Sequence, residues 1–259
     1  MSSAQRLLDT MALFTPRHPS WTPMRAAKVL GISRASAYRY FAMLAEVALL
    51  EPAPGLGYSL GPAIVELDRQ IRLSDPLLQT SIDEMLQLAR EASATVLLCR
   101  LYRDRVLCVH QERGARASST FVSYERGRAM PLYRGATSKA ILAFLPTRAL
   151  NRLVERDRDE IVRARLPAEG AALRRALGLV REKRIAVTAG EVGPGACGAA
   201  VPLFEAGRVI GSLSVVMPAS ALRNNALERA CRALVAAGSR IEAELERNLQ
   251  RPARRSGEA

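Results

Sequence analysis

Residues 33–40 carry several arginine, serine and tyrosine side chains, spaced so that a helix would bring them to one face. Guanidinium and hydroxyl groups on one face of a helix can contact base edges in the major groove and phosphate oxygens of double-stranded DNA. We therefore expect this face to bind DNA, helped by a basic residue before it and a tyrosine after it. The candidate DNA-binding residues are Arg25, Ser33, Arg34, Ser36, Tyr38, Arg39, Tyr40 and Tyr58.

Two short helices around a tight turn, within residues 22–44, would position that face. Thr22 can cap the first helix, Pro23 suits its first position, and Ser33 can cap the second. Gly31 falls in the turn, where a positive φ favours glycine. The pattern predicts a helix-turn-helix. Helical hairpins that serve only as packing units show the same pattern. The predicted inner positions are Met24, Ala27, Leu30, Ile32, Ala37, Phe41 and Leu44.

Three features favour the DNA-binding interpretation. Residues 1–45 carry six Lys or Arg side chains against one acid, Asp9. An amphipathic helix over residues 3–14 supplies a third helix. Two short apolar segments, 49–52 and 58–60, flank a Pro/Gly turn and predict a β-hairpin. Three helices followed by a hairpin make a winged helix-turn-helix, which we assign to residues 1–61.

The overall composition is weaker evidence for the class of protein than these local features. The chain has 259 residues, a net charge of +13 and a sequence pI near 10.5, which favours an anionic partner. This positive charge is spread along the chain and comes mostly from arginine. The local excess of positive charge in residues 1–45 is therefore the stronger evidence for DNA binding. The sequence contains neither an apolar run of membrane-spanning length nor a signal-peptide layout, so we expect a cytoplasmic protein without membrane contact.

Histidine and cysteine are too sparse for most catalytic or metal-binding chemistry. The histidines are His18 and His110, and the four widely spaced cysteines include no Cys-x-x-Cys pair. We therefore predict no metal site, no cofactor, no disulfide framework and no histidine-based triad. An enzyme with an appended DNA-binding domain, and a DNA-binding protein indifferent to small molecules, stay open as alternatives.

Beyond the hairpin, residues 62–76 predict a linker helix with Ile64, Leu67 and Ile71 at helical spacing. This stripe can pack on the domain core or on a second subunit.

Residues 77–250 alternate between strands and helices and predict an α+β domain, an antiparallel sheet with flanking helices. Residues 251–259 predict a basic, disordered tail. Strands are expected at 95–101, 105–110, 119–122, 185–188, 199–204 and 209–217, and helices at 138–145, 147–155, 168–183 and 220–249.

A small-residue turn at residues 135–138 opens one of these helices. Free N–H groups and the positive dipole end there favour a carboxylate or phosphate, although Thr137 or Ser138 could simply cap the helix.

The glycine-rich loop 189–198 should lie near this helix start. It precedes a strand and does not open a helix, so it is no dinucleotide site. Ser214 is a further polar candidate, unless it is an ordinary exposed strand serine.

Several motifs in order resemble the IclR family of bacterial transcriptional regulators over nearly the full chain. They are Gly31–Arg39, Tyr58–Gly61, Met130–Ala143, Glu191, Cys197–Pro202 and Gly211–Val216. The resemblance implies a winged helix-turn-helix joined to a GAF-like effector domain, acting as a dimer or a dimer of dimers. Tyr133, Ser138 and a short 193–195 segment depart from the family pattern. The implied effector-binding residues are Met130, Leu132, Gly135, Ala136, Thr137, Glu191, Cys197, Ser214 and Val216, and the expected effector is a small organic acid.

Overall fold

A computed structural model describes residues 2–115, 117 and 125–250. The chain forms two compact units, Met1–Asp75 and Pro76–Ala259. Within the described ranges, no helix is both long and apolar enough to cross a membrane. The predicted strand at 119–122 and the predicted tail at 251–259 fall outside the described residues.

The first unit contains three helices, a β-hairpin and a fourth helix. Ser2, Thr22 and Ser33 each accept a backbone N–H in the first turn of a helix, which confirms the predicted caps at Thr22 and Ser33. Gly31 has φ 62°, so the turn does use the left-handed region. The elements are α1 (Ser3–Ala12), α2 (Pro23–Leu30), α3 (Arg34–Glu46), β1 (Leu50–Ala53), β2 (Gly57–Leu60) and α4 (Ala63–Ser74).

A small aromatic core holds these elements together. Trp21 is buried with Phe41 and Leu44, and its indole N–H donates to the Leu13 carbonyl at 2.9 Å. Its backbone also pairs with Tyr58, which ties the hairpin to the start of α2. The prediction that Met24 faces inward is wrong: its side chain is exposed. Pro23, Ala26 and Ala27 occupy the inner face of α2.

The linker helix α4 has no buried residue. Its apolar side chains Val65, Leu67, Ile71 and Leu73 are all more than half exposed. Burying such a stripe is favourable at roughly 25 cal/mol per Å². Within its own unit, the helix leaves this surface uncovered.

In the described residues, the second unit is built on a six-stranded antiparallel sheet, and its antiparallel pairing is as predicted. Its strand order is β5-β4-β3-β8-β7-β6, and the connections β3–β4 and β7–β8 are hairpins. The short edge strand β5 was not predicted, because three residues ending in proline carry little strand signal. The strands are β3 (Thr95–Tyr102), β4 (Arg105–Arg113), β5 (Ala129–Pro131), β6 (Ala186–Ala189), β7 (Ala196–Glu205) and β8 (Arg208–Pro218).

Helices cover both faces of this sheet. Strand β3 shows the alternation, because Val96 and Leu98 join one apolar cluster while Leu97 and Cys99 join the other. Helices α5 (Pro76–Ala92) and α10 (Ala226–Gln250) complete the first cluster, and α6 (Ala136–Leu142) and α7 (Thr147–Arg163) lie in the second. Helices α8 (Gly170–Ala176) and α9 (Gly178–Lys183) follow α7.

The predicted helix bounds differ from the observed ones in several places. The helix expected over 138–145 is observed at Ala136–Leu142, and the helix expected over 147–155 continues to Arg163. The helix expected over 168–183 breaks at Leu177 (φ −92°, ψ 9°), which separates α8 from α9. The last helix starts at Ala226, because Asn225 has φ 57° and a short 3-10 turn (Ala219–Leu222) precedes it. Leu222 lies in this turn and is exposed.

Candidate functional site

The outer face of α3 carries the candidate DNA-binding groups. Arg34, Tyr38 and Arg39 are exposed there, and Ser36 is partly exposed. The Ser33 hydroxyl accepts the Ser36 N–H at 3.1 Å, which caps the helix and fixes its start. These residues therefore share one accessible face of a helix preceded by α2.

Arg25 is exposed in the first turn of α2. Its guanidinium carbon lies 4.3 Å from the centre of the Trp21 ring, a cation–π contact that restricts the side chain. Tyr58 is only partly accessible, because its ring packs edge-on against Phe41 at 5.2 Å. Its role in the described structure is to hold the hairpin on the core.

The expectation that Tyr40 faces outward is wrong. Its side chain is only 3% exposed, and its hydroxyl lies 3.0 Å from the Ser3 hydroxyl on α1. The reason is helical periodicity: Ala37, Tyr40 and Leu44 are spaced by three and four residues and form one inner stripe. Tyr40 therefore joins α1 to α3 and is unavailable to DNA.

A cleft in the second unit lies between the start of α6, the loop after β6, and the strands β7 and β8. Its empty volume is about 420 Å³, counted out to its open mouth. The lining residues are Gly135, Ala136, Thr137, Thr188, Gly190, Glu191, Val192, Gly193, Ala196, Cys197, Gly198, Val215 and Val216.

The structure gathers most, but not all, of the predicted effector-binding residues around this cleft. Met130, Leu132 and Ser214 do not line it. Met130 and Leu132 are buried in the apolar cluster that contains Leu97 and Val106, so they support the sheet. Gly135, Ala136, Thr137, Glu191, Cys197 and Val216 do line the cleft.

Two backbone amides at the start of α6, those of Gly135 and Ala136, already have partners, contrary to the expectation that they are free. Glu191 accepts the Gly135 N–H at 3.0 Å, and its other oxygen lies 2.6 Å from the Lys139 ammonium. The Ala136 N–H donates to the Thr188 hydroxyl at 3.0 Å. The protein's own carboxylate thus occupies the position expected for a ligand anion. Gly135 has φ 82°, a conformation that strains any other residue.

Helix α6 is fastened to β8 beneath the cleft. The Thr137 hydroxyl donates to the Ser214 hydroxyl at 3.0 Å, and the Ser212 hydroxyl donates to the Thr137 carbonyl at 3.1 Å. All three side chains are buried. Ser214 therefore positions Thr137, which itself lines the cleft.

Reactive groups are scarce at this cleft. Burial raises the pKa of the Cys197 thiol, which donates to the Pro218 carbonyl at 3.3 Å and stays in its weakly nucleophilic neutral form. His110 lies in β4, where it pairs with Glu112 at 2.7 Å. Among the described residues, no three His, Cys, Asp or Glu side chains are grouped as a metal site. The arrangement can bind a small molecule, and it presents no nucleophile–base pair.

Sequence reasoning missed two polar groups, one that lines the cleft and one that pairs with the cleft residue Glu191. Thr188 accepts the Ala136 N–H, and Lys139 is the ion-pair partner of Glu191. Lys139 lies one helical turn after Gly135, so its spacing was a usable signal. Thr188 ended a predicted strand, and only the pairing of β6 with β7 brings it to α6.

Comparison with known proteins identifies relatives over most of the chain. The family model described as the C-terminal part of the bacterial transcriptional regulator IclR matches residues 74–243. The HTH-type transcriptional regulator XynR of Escherichia coli is 26% identical over 218 residues, 83% of this chain and 85% of the relative. For KipR of Bacillus subtilis the identity is 27% over 128 residues, and the match spans about half the length of each protein.

Solved structures share the fold. A crystal structure of an IclR homologue from Microbacterium hydrocarbonoxydans, complexed with 4-hydroxybenzoate, superposes with a TM-score of 0.76. The match covers 95% of this chain and all of that one, at 22% sequence identity. At this identity the likeness establishes the common architecture.

Proposed function

The chain belongs to the IclR family of transcriptional regulators, and from this premise we propose that it binds an operator through α3 and changes its operator affinity when a small molecule occupies the cleft. The observation that carries the DNA-binding part is the exposure of Arg34, Tyr38 and Arg39 on one face of α3. Arginine at such positions pairs with guanine edges, and it neutralises phosphates.

The effector proposal rests on the cleft beside α6. Its walls combine small apolar residues with the Thr137 and Thr188 hydroxyls, and small-molecule sites typically combine an apolar lining with a few polar groups that orient the ligand. The Microbacterium homologue binds 4-hydroxybenzoate, so we propose that small carboxylic acids are the first class to test. A carboxylate entering this cleft would compete with Glu191 for Lys139 and for the Gly135 N–H.

We further propose that the protein acts as a dimer or a dimer of dimers. Palindromic operators are bound by two recognition helices about one helical turn of DNA apart, or a multiple of it. The uncovered apolar side chains of α4 give two copies a surface to bury. An effector that prefers one arrangement of the dimer would then change the spacing of the two recognition helices.

The test is a selection of genomic DNA fragments by the full-length protein, followed by titration of the enriched fragment. We expect saturable binding that weakens steeply with salt and is lost in the Arg34→Ala/Arg39→Ala variant. A thermal-shift screen of small carboxylic acids, with 4-hydroxybenzoate included, would then identify the effector class. Failure to enrich any fragment, or equal enrichment by the double variant, would contradict the DNA-binding proposal.

A further inference from the structure

A second, larger depression lies on the other side of Glu191 from the effector cleft. We call it the basic groove, defined by Tyr133, Arg134, Lys139, Arg163 and Arg165 together with Glu160 and the 189–191 loop. Its empty volume is about 1310 Å³, counted out to open solvent. Gly190 and Glu191 line both cavities and form the wall between them.

The charge of the groove is predominantly positive. Four cationic side chains face the two carboxylates of Glu160 and Glu191. Glu160 pairs with Arg163 and Glu191 pairs with Lys139, so the acidic members neutralise only part of the cationic charge. A cavity lined in this way concentrates anions from solution.

Tyr133 gives the groove a polar group that the protein itself leaves unused. Its side chain is only 8% exposed and lines the groove, yet its hydroxyl has no hydrogen-bond partner among the described residues. Burial, together with the carboxylates of Asp157 and Glu160, raises the pKa of Tyr133. The hydroxyl therefore keeps its proton at neutral pH and can donate it to a ligand.

Arg163 and Arg165 stand at the end of α7, where the backbone is well fixed. The Arg165 N–H donates to the Val162 carbonyl at 2.9 Å, and the Leu166 N–H donates to the Ile161 carbonyl at 3.1 Å. Arg165 has φ 57°, the left-handed geometry of a helix end. The two guanidinium groups are thus carried on a defined turn and line the same groove as Tyr133, and each offers the planar donor fork that matches an oxyanion.

We propose that the basic groove is a second ligand site, which binds a small molecule bearing a multiply charged oxyanion. The Tyr133 hydroxyl and the guanidinium groups of Arg163 and Arg165 would contact the anion. Carboxylates and phosphates share this chemistry. The site is separate from the effector cleft, so it does not depend on the effector proposal. Because Glu191 lines both cavities, a ligand in the groove would contact the wall of the cleft.

The test is calorimetric titration of the full-length protein with inorganic phosphate, pyrophosphate and citrate at constant ionic strength. We expect saturable binding of at least one of them. Preference for pyrophosphate would indicate a phosphorylated ligand, and preference for citrate would indicate a polycarboxylate. Both results support the site and define its ligand class.

Three variants locate the anion. Arg163→Gln/Arg165→Gln should weaken binding about tenfold or more, because charge-assisted hydrogen bonds are lost. Tyr133→Phe should weaken it about fivefold by removing one hydroxyl donor. Arg158→Gln removes one positive charge from an exposed position of α7 outside the groove, so it should bind as the wild type does.

The proposal is overturned if none of the three anions binds saturably. It is also overturned if the Arg163→Gln/Arg165→Gln protein keeps wild-type affinity, which would place the anion elsewhere. The DNA-binding face is one such alternative site, and the Arg34→Ala/Arg39→Ala variant tests it. This variant should retain anion binding, and loss of anion binding would contradict the groove. Operator titration of the groove variants should stay unchanged, so failure of this site and failure of the proposed function are distinguishable.

Discussion

The Glu191 carboxylate joins the two ends of the first turn of α6, because it lies 2.6 Å from the Lys139 ammonium while accepting the Gly135 N–H at 3.0 Å. The cleft is therefore not an open anion site. A carboxylate ligand has to displace Glu191, or share its partners, before it can occupy the start of the helix.

This relationship predicts an unusual phenotype for Glu191→Gln. The amide can still accept the Gly135 N–H, but Lys139 loses its counter-charge. We expect small carboxylic acids to bind the cleft about tenfold more tightly, because they no longer compete with an internal carboxylate. Calorimetry with the acid selected by the thermal-shift screen measures this. Glu155→Gln, an exposed substitution on α7, is the matched control, and unchanged or weaker binding by Glu191→Gln would contradict the competition.

On the DNA-binding face, Arg34→Ala and Arg39→Ala should each weaken operator binding. A lost contact to a guanine edge costs about 1–3 kcal/mol and relaxes the preference at that base pair. A lost phosphate contact instead weakens all sequences alike and lowers the salt dependence. Gel-shift titration over a range of salt separates the two outcomes. Arg158→Ala, on the second unit, serves as the charge-matched control.

Tyr40 offers an internal check on the orientation of α3. Its buried hydroxyl lies 3.0 Å from the Ser3 hydroxyl, so Tyr40→Phe should lower the melting temperature and leave operator affinity within about twofold. Tyr38→Phe, on the exposed face, should leave the melting temperature unchanged. Thermal unfolding and gel shifts on both variants test this, and a large loss of operator affinity in Tyr40→Phe would mean that α3 presents a different face.

Assembly should depend on the exposed stripe of α4. Leu67→Asp places a charge among Val65, Ile71 and Leu73, and it should reduce dimer content and operator affinity together. Multi-angle light scattering reports the mass directly. Leu179→Asp, at a leucine on α9 that is more exposed than Leu67, is the control. A stable Leu67→Asp dimer would place the contact elsewhere, and a monomeric wild type would remove the dimer proposal.

The winged helix-turn-helix was predictable because its signals are local. Thr22 and Ser33 cap helices that begin one residue later, and Gly31 provides the turn between them. The position of Tyr40 was also encoded locally, since it lies three residues after Ala37 and four before Leu44. Its aromatic ring and hydroxyl suggested a DNA contact, and that chemistry was given more weight than the periodicity.

The cleft was only partly predictable, for a physical reason. Its location beside residues 135–137 follows from the turn and from the family resemblance. The state of its amides depends on Glu191 and Thr188, more than 50 residues away in sequence, and is fixed only when β6 pairs with β7. Met130 and Leu132 were assigned to the cleft as apolar neighbours, whereas the strand places them in the core under the sheet.

The most direct test of the account is the operator affinity with and without a cleft ligand, measured in the wild type and in Ala136→Asp. Ala136 lines the cleft, and an aspartate there adds bulk and a repelling charge. Thr137→Val should weaken the ligand less, by about one hydrogen bond. We predict that the ligand changes the operator dissociation constant of the wild type, whereas Ala136→Asp binds the operator normally and ignores the ligand. A ligand that binds both proteins equally, or that fills the wild-type cleft without changing operator affinity, would contradict the account.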